Sequence, residues 1–246
     1  MKAVYVFLAI NLICFALLPT VVGNPDIENY RPETFEVGSE EEGSISIFKT
    51  VLWITVMLFV LKLVGIKIRH LIDFSAFSAG YLFGSLFGMG FPLGLVLLSY
   101  RKSDFIMLYN LSSIATIIAF SLIFAPFVTP DAALLLFALL GLYDVIGVLY
   151  LPVIQFLWLR FDKRFDAKTR KYTTGVAILT DDGLVGAGDF ALPTIFALSF
   201  GSRGLLALPL LLLGFWLTHL FARKFRTFPG LPLQVFFGSL AYFILT

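Results

Sequence analysis

Two aspartates, Asp144 and Asp189, each lie inside a long apolar run. Asp144 is set in Leu139–Val148 with no basic residue nearby to pair with, and Asp189 closes the stretch Gly186-Ala187-Gly188-Asp189. A charged carboxylate at the centre of a bilayer costs ~2.5–3.5 kcal/mol even on a lenient insertion scale, so a residue kept there does chemistry or fixes packing. Counted along a helix at 1.5 Å per residue, Asp144 falls ~12 Å before Pro152, which ends or kinks its helix. Asp189 falls ~8 Å into its own run by the same rise. If the two helices are consecutive, antiparallel and joined on one side, the two carboxyl groups meet. Neighbouring carboxyls in a low dielectric cannot both ionise easily, so they hold one proton between them. One can then take a proton from water while the other, protonated, polarises a scissile carbonyl. Gly186 and Gly188 suit that role, because a missing Cβ lets substrate backbone or a partner helix come close.

Blander readings of the same residues stay open. Each acid could bond a neighbouring hydroxyl and only fix helix packing, or the pair could relay protons or ions in a carrier. Asp181 and Asp182 precede their run and Asp73 stands at a span end, so solvation or capping is the expectation for all three. His70 lies among Lys67 and Arg69 and reads as a headgroup residue. His70, His219 and Cys14 are too widely spread to make a metal site, and no cofactor is expected. The glycines before Asp189 are read as lacking the strand–turn–helix context of a nucleotide-binding loop.

The elements that must hold these acids are membrane spans. Of 246 residues, 59% are hydrophobic, 16% aromatic and 14% charged, with a mean hydropathy of +0.94. Ordinary soluble domains carry roughly 25% charge, so a disordered chain, a nucleic-acid module and a soluble enzyme are excluded. Cys14 is the single cysteine and cannot form an internal disulfide. At ~20 apolar residues per span there is sequence for eight or nine transmembrane helices in a single domain, 1–246. The runs are Ala3–Val22, Ile45–Ile66, Leu71–Tyr100, Phe105–Val128, Ala132–Leu159, Leu184–Phe200, Leu205–Phe221 and Leu231–Leu245. The first is expected to be a retained span; a cleaved signal ending near Val21-Val22-Gly23 is the rival. Residues 23–44 form an exposed acidic loop, and 160–174 a short charged loop between the two acid-bearing helices.

Lys and Arg are retained on the cytoplasmic side. Arg160, Lys163, Arg164, Lys168, Arg170 and Lys171 put the 160–174 loop inside, and Arg223, Lys224 and Arg226 do the same for the last loop. Lys62, Lys67 and Arg69 end the second run inside, yet Arg101 and Lys102 end the third run inside as well. One pass cannot start and finish on the same side. Leu71–Tyr100 must therefore enter and return, as two short passes or a re-entrant hairpin, with Gly88-Met89-Gly90-Phe91-Pro92 as the turn. Nine membrane segments follow, with the N-terminus cytoplasmic and the C-terminus outside; only Arg31, Lys49 and Arg203 fall on the outer side.

Tyr143-Asp144 on the sixth segment, Gly186-Ala187-Gly188-Asp189 on the seventh and Pro229-Gly230-Leu231-Pro232 before the ninth resemble the GxGD intramembrane aspartyl proteases. These are the presenilins, the signal peptide peptidases and their archaeal homologues. The family pattern is YD on helix six, GxGD on helix seven and Pro-Ala-Leu at the start of helix nine. The motifs cover the chain from Leu140 onward; upstream the likeness is topological only. The resemblance implies an all-α polytopic presenilin-like bundle with Asp144 and Asp189 as catalytic dyad. It implies Tyr143 beside the first acid, and Pro229, Gly230 and Leu231 packing by the dyad to position substrate. Gly230 replaces the family's Ala, so close approach survives while the loop is freer. The loop between the dyad helices is short, which makes autocleavage unexpected. The β-prone stretch Tyr172–Thr180 matches a family segment that can pair with an extended substrate, or it is the first turns of the seventh helix.

The leading expectation is thus a protease of a multi-pass protein in the cell membrane, cleaving transmembrane segments or signal-peptide remnants. Its partners are transmembrane peptides and the bilayer, with no nucleic acid. A prepilin-peptidase-like enzyme also uses GxGD but gives no reason for Tyr143-Asp144 or the PxLP element. A proton-coupled carrier or channel expects inverted repeats, and none is visible. A catalytically dead scaffold that only binds membrane helices is the fourth possibility.

Overall fold

The computed structural model describes residues 2–23, 68–103, 105–149, 177–181, 183–224 and 229–246. The second apolar run, residues 24–44 and the whole 160–174 loop lie outside the described residues. The fold is a bundle of helices with one small β-hairpin, and it carries a large apolar exterior. Met107 is 83% exposed, Phe243 77% and Phe105 73%. Side chains of that size on the outside of a stable bundle need lipid around them. Two helices, Ala3–Val22 and Ile106–Phe127, are long and apolar enough to cross a bilayer by themselves. The chain is an integral membrane protein.

Helix α1 (Ala3–Val22) buries Ala3, Val6, Phe7, Ile10, Asn11, Cys14, Leu18 and Val21. That three-and-four spacing is one helical face, and it is turned inward. The ring of Phe7 stacks on Phe215 at 4.6 Å between centroids and lies 6.4 Å from Phe190. The first helix is thereby packed against elements from the far end of the chain.

The 71–100 region folds back as its flanking charges require. Helix α2 (Ile68–Ser85) and helix α3 (Gly90–Arg101) run antiparallel. Gly88, at φ +68°, ends α2: Met89 N–H reaches back to the Gly84 carbonyl at 2.8 Å and Gly88 N–H to Ser85 at 3.1 Å. This is the Schellman arrangement, which satisfies the last carbonyls of a helix through a left-handed residue. Close approach then runs the length of the hairpin. A Cβ on Gly80 would meet the Gly94 Cα at 3.0 Å, and one on Gly84 the Gly90 Cα at 3.0 Å. At the open end Arg101 Nε meets Asp73 Oδ1 at 3.3 Å, and its guanidinium lies 5.5 Å over the Tyr109 ring. Asp73 is therefore an ion-pair partner and not a solvated span end. The ion pair forms because the antiparallel register brings it opposite a buried arginine.

Helix α4 (Ile106–Phe124) is tied to α3 by Ser112, whose hydroxyl donates to the Leu97 carbonyl at 2.7 Å. A 3₁₀ turn, Ala125–Phe127, leads to helix α5 (Pro130–Leu149). Thr129 caps α5 through its hydroxyl, with Pro130 in the first turn and Asp131 at the positive end of the dipole. Strands β1 (Ala177–Thr180) and β2 (Gly183–Gly186) pair antiparallel with Thr180 opposite Gly183 and Ala177 opposite Gly186. Ala177–Thr180 is thus a strand and not the opening of a helix; residues 172–176 lie outside the described residues. The run Leu184–Phe200 divides: its first residues belong to β2, and helix α6 occupies Gly188–Ser199. Short apolar β-branched runs are ambiguous between the two periods, and cross-strand pairing decides this one.

Helix α6 is buried almost all round, from Phe190 through Leu198, and packs on α1, α4 and α5. After a 3₁₀ segment, Gly201–Leu206, come helix α7 (Leu208–Lys224) and helix α8 (Pro232–Leu245). Gly141 of α5 lets α8 in: a Cβ there would sit 2.7 Å from Val235 Cγ2. The Tyr242 hydroxyl of α8 bonds the Asp131 carboxylate of α5. These contacts bring the start of α6 and the loop before α8 to the same flank of α5.

Candidate active site

Asp144 projects from α5 and is half-buried; its Oδ2 accepts the backbone N–H of Leu231 at 3.0 Å. Leu231 is the cap residue of α8, so the carboxylate sits at the end of a helix whose dipole favours negative charge. Asp189 is the second residue of α6 and occupies its first turn, likewise at a helix N-terminus. Its depth is set by the hairpin before it and not by five helical residues, since Gly186 ends β2 and only Gly188 begins the helix. The Gly186–Asp189 stretch does stand at a strand–turn–helix junction, contrary to the sequence expectation. That junction follows an antiparallel hairpin, which is not the parallel unit of a nucleotide site.

The two acids converge on adjacent residues of one loop. A Cβ added to Gly230 would lie 3.0 Å from Asp189 Cγ and 3.1 Å from Oδ2. Leu231, next in the chain, donates to Asp144. Pro229 is buried, and the Gly230 carbonyl accepts two side-chain bonds, from Thr218 Oγ1 of α7 at 3.1 Å and from Gln234 Nε2 of α8 at 3.2 Å. With Pro229 before it and two donors on its carbonyl, Gly230 has little of the freedom expected of a glycine. Gly186 lies against Asp189, a Cβ there meeting Oδ2 at 3.7 Å, whereas a Cβ on Gly188 would meet nothing within 4 Å.

Beside these residues is a cavity of about 500 Å³. Asp144, Tyr143, Gly188 and Leu231 line it, with walls from Ser75 and Ala79 of α2, Thr116, Ile117 and Phe120 of α4, and Ala191 and Leu192 of α6. Tyr143 is 44% exposed and faces this space. The lining is almost wholly apolar, with one carboxylate at its side. Such a space accepts an apolar chain and presents it to an acid.

No protein-family model matches the sequence, and no curated sequence matches it. Among solved structures it is similar to that of a presenilin-family intramembrane aspartate protease, with a TM-score of 0.63 over 97% of both chains. The chain has the presenilin-protease fold. Sequence identity across that match is 18%, so the likeness is one of architecture. The presenilin-like bundle implied by the resemblance is accordingly the observed fold class.

Within that fold, Asp144, Asp189, Gly186, Gly230, Leu231 and Pro229 come together, and Tyr143 and Gly188 line the adjoining cavity. Asp181 is exposed in the turn of the β-hairpin; Asp182 lies outside the described residues. No group of three or more His, Cys, Asp or Glu that could hold a metal ion occurs among the described residues. Sequence reasoning passed over Thr218 and Gln234, and with them Asn110 of α4. The Asn110 amide donates to the Leu179 carbonyl at 2.7 Å and accepts Leu179 N–H at 2.9 Å. All three are uncharged polar residues within apolar runs. A search for charge misses them, although polar side chains at such depth are a signal of their own.

Proposed function

We propose that the protein is an intramembrane aspartyl endopeptidase of the GxGD type, with Asp144 and Asp189 as its catalytic pair. The observation that carries this reading is the meeting of two acids from different helices on Gly230-Leu231, beside an apolar cavity. One carboxylate takes a proton from a water whose oxygen bonds to the scissile carbonyl carbon. The other carboxyl gives its proton to the carbonyl oxygen, and a tetrahedral diol forms. Proton return to the amide nitrogen breaks the C–N bond and leaves a carboxyl and an amine product. Pro229, Gly230 and Leu231 hold the pair in register, Gly186 and Gly188 leave room for substrate backbone, and Tyr143 flanks it in the cavity.

A helical substrate hides its peptide bonds in i to i−4 hydrogen bonds and must be extended before attack. The edge of β2 offers a template. In an antiparallel pair, residues alternate between facing the partner strand and facing outward. Leu179 turns its N–H and C=O outward to Asn110, so Leu184 opposite it faces outward on the other side. Strand addition there would leave a bound segment running past Gly186 towards Asp189.

The substrate class is a transmembrane segment or signal-peptide remnant in the cell membrane, entering with its N-terminus outside, as the basic-loop orientation favours. Purified protein should cleave a single-span model peptide. Asp144→Ala and Asp189→Ala should each lower the rate by about 10³-fold or more. Retained cleavage in either variant sinks the dyad, and proton flux into liposomes without proteolysis would favour a relay.

A further inference from the structure

Asn110 makes two hydrogen bonds, and both go to the backbone of one residue across 69 positions of chain. Its carboxamide has the same donor and acceptor as a peptide group, held in one plane. It therefore does for Leu179 what a neighbouring strand would do, closing the outer edge of β1 with a single side chain. Ile117, which lies seven residues on and on the same helical face of α4, lines the cavity. On the other side of the hairpin, β2 runs from Gly183 to Gly186, and Ala187 and Gly188 line that cavity as well. From Leu184, opposite Leu179, to Ala187 is three residues, or ~10 Å of extended chain. One face of α4 thus grips the hairpin at one level and walls the cavity at another.

We propose that Asn110 is a positioning residue for peptide-bond cleavage. By occupying the outer edge of β1 it fixes the hairpin, and so the Gly186–Asp189 corner, against α4. It also leaves β2 as the free edge of the described hairpin for an extended substrate. This rests on the protease reading above. Were β1 open, a substrate could add to either edge, and the scissile bond would no longer arrive at one place. Removing the amide also strands the Leu179 N–H and C=O in apolar surroundings, which drives the hairpin to shift and pair elsewhere.

The test compares the full chain, purified and reconstituted in phosphatidylcholine vesicles, with Asn110→Leu, Asn110→Asp and Asn110→Gln. Three readouts are taken: hydrogen exchange at the Leu179 amide, kcat and KM for a single-span peptide, and the cleavage positions by mass spectrometry. Asn110→Leu should lose about tenfold of Leu179 protection and about tenfold in kcat, the scale of two hydrogen bonds, with KM changed far less. It should also yield products cut one or two residues to either side of the main site. Asn110→Asp keeps the acceptor for the Leu179 N–H and, ionised, loses the donor to its C=O, so it should keep more Leu179 protection than Asn110→Leu while still spreading the cleavage positions. Asn110→Gln keeps both and should recover a single main product. A purely structural role would lower melting temperature and active fraction together while cleavage position and KM stayed fixed, and that outcome overturns the proposal. Unchanged Leu179 exchange in Asn110→Leu also overturns it. If the wild-type protein cleaves nothing while Leu179 protection still depends on Asn110, the protease reading fails and the clamp survives as a structural contact alone.

Discussion

Gly230 is the residue at which this chain parts from the Pro-Ala-Leu pattern, and its surroundings show what an alanine would do here. A Cβ would press on the carboxyl of Asp189, 3.0 Å from its Cγ. Gly230→Ala should therefore displace that carboxyl and lower kcat by about 10- to 100-fold, since a misplacement near 1 Å costs on that order. The melting temperature should hardly move, because the loop stays pinned at its carbonyl. Gln234 permits a sharper separation of geometry from stability. Its Nε2 holds Gly230, but its buried Oε1 has no partner among the described residues. Gln234→Met loses one bond, worth about 1 kcal/mol or less in a membrane bundle, and also removes an unsatisfied acceptor. Melting should stay within a few degrees while kcat falls severalfold; a large stability loss with normal kcat would refute this account. The two acids were legible in the sequence because charge is scarce in apolar runs. Gly230 as a steric fit and Gln234 as a clamp were not, since neither follows from residue type without the neighbour it meets.

The fold-back of α2 and α3 was legible among the elements because basic residues at both ends of one run cannot be reconciled with a single crossing. The ion pair that closes it was not, as Asp73 and Arg101 meet only through register. Arg101→Met removes the ion-pair partner of a partly buried carboxylate and should cost about 1–3 kcal/mol. The double variant Asp73→Leu/Arg101→Met should recover most of that loss, as read by thermal melting in detergent. Failure of the second change to restore stability would place the value of Arg101 in its packing over Tyr109. The β1–β2 hairpin was the harder element. Ile178-Leu179 and Leu184-Val185 are apolar enough to open a helix, and only their pairing and the Asn110 contact make them strands. Asp189 consequently begins a helix where an uninterrupted run would have buried it a turn deeper.

The orientation read from basic loops carries a test at the scale of the whole molecule. Ser202, exposed in the 3₁₀ segment after α6, is expected outside, and Ser103, after α3, in the cytoplasm. A membrane-impermeant maleimide should label Ser202→Cys in intact cells and Ser103→Cys only after permeabilisation. The native Cys14 is fully buried, so it should contribute little background. The reverse pattern would invert the proposed topology and with it the substrate orientation.

Phe7 touches Phe190 and Phe215, partners made roughly 200 residues after it, which is a contact of very long sequence separation. Phe190 is the neighbour of Asp189. During synthesis α1 is made long before these partners, and its inward face waits uncovered until they follow. The segment bearing Pro229-Gly230-Leu231 is later still. The two carboxyls can therefore meet on their loop only after that late segment has been made, so on the proposed reading a growing chain carries no assembled hydrolytic pair past the other proteins being inserted beside it.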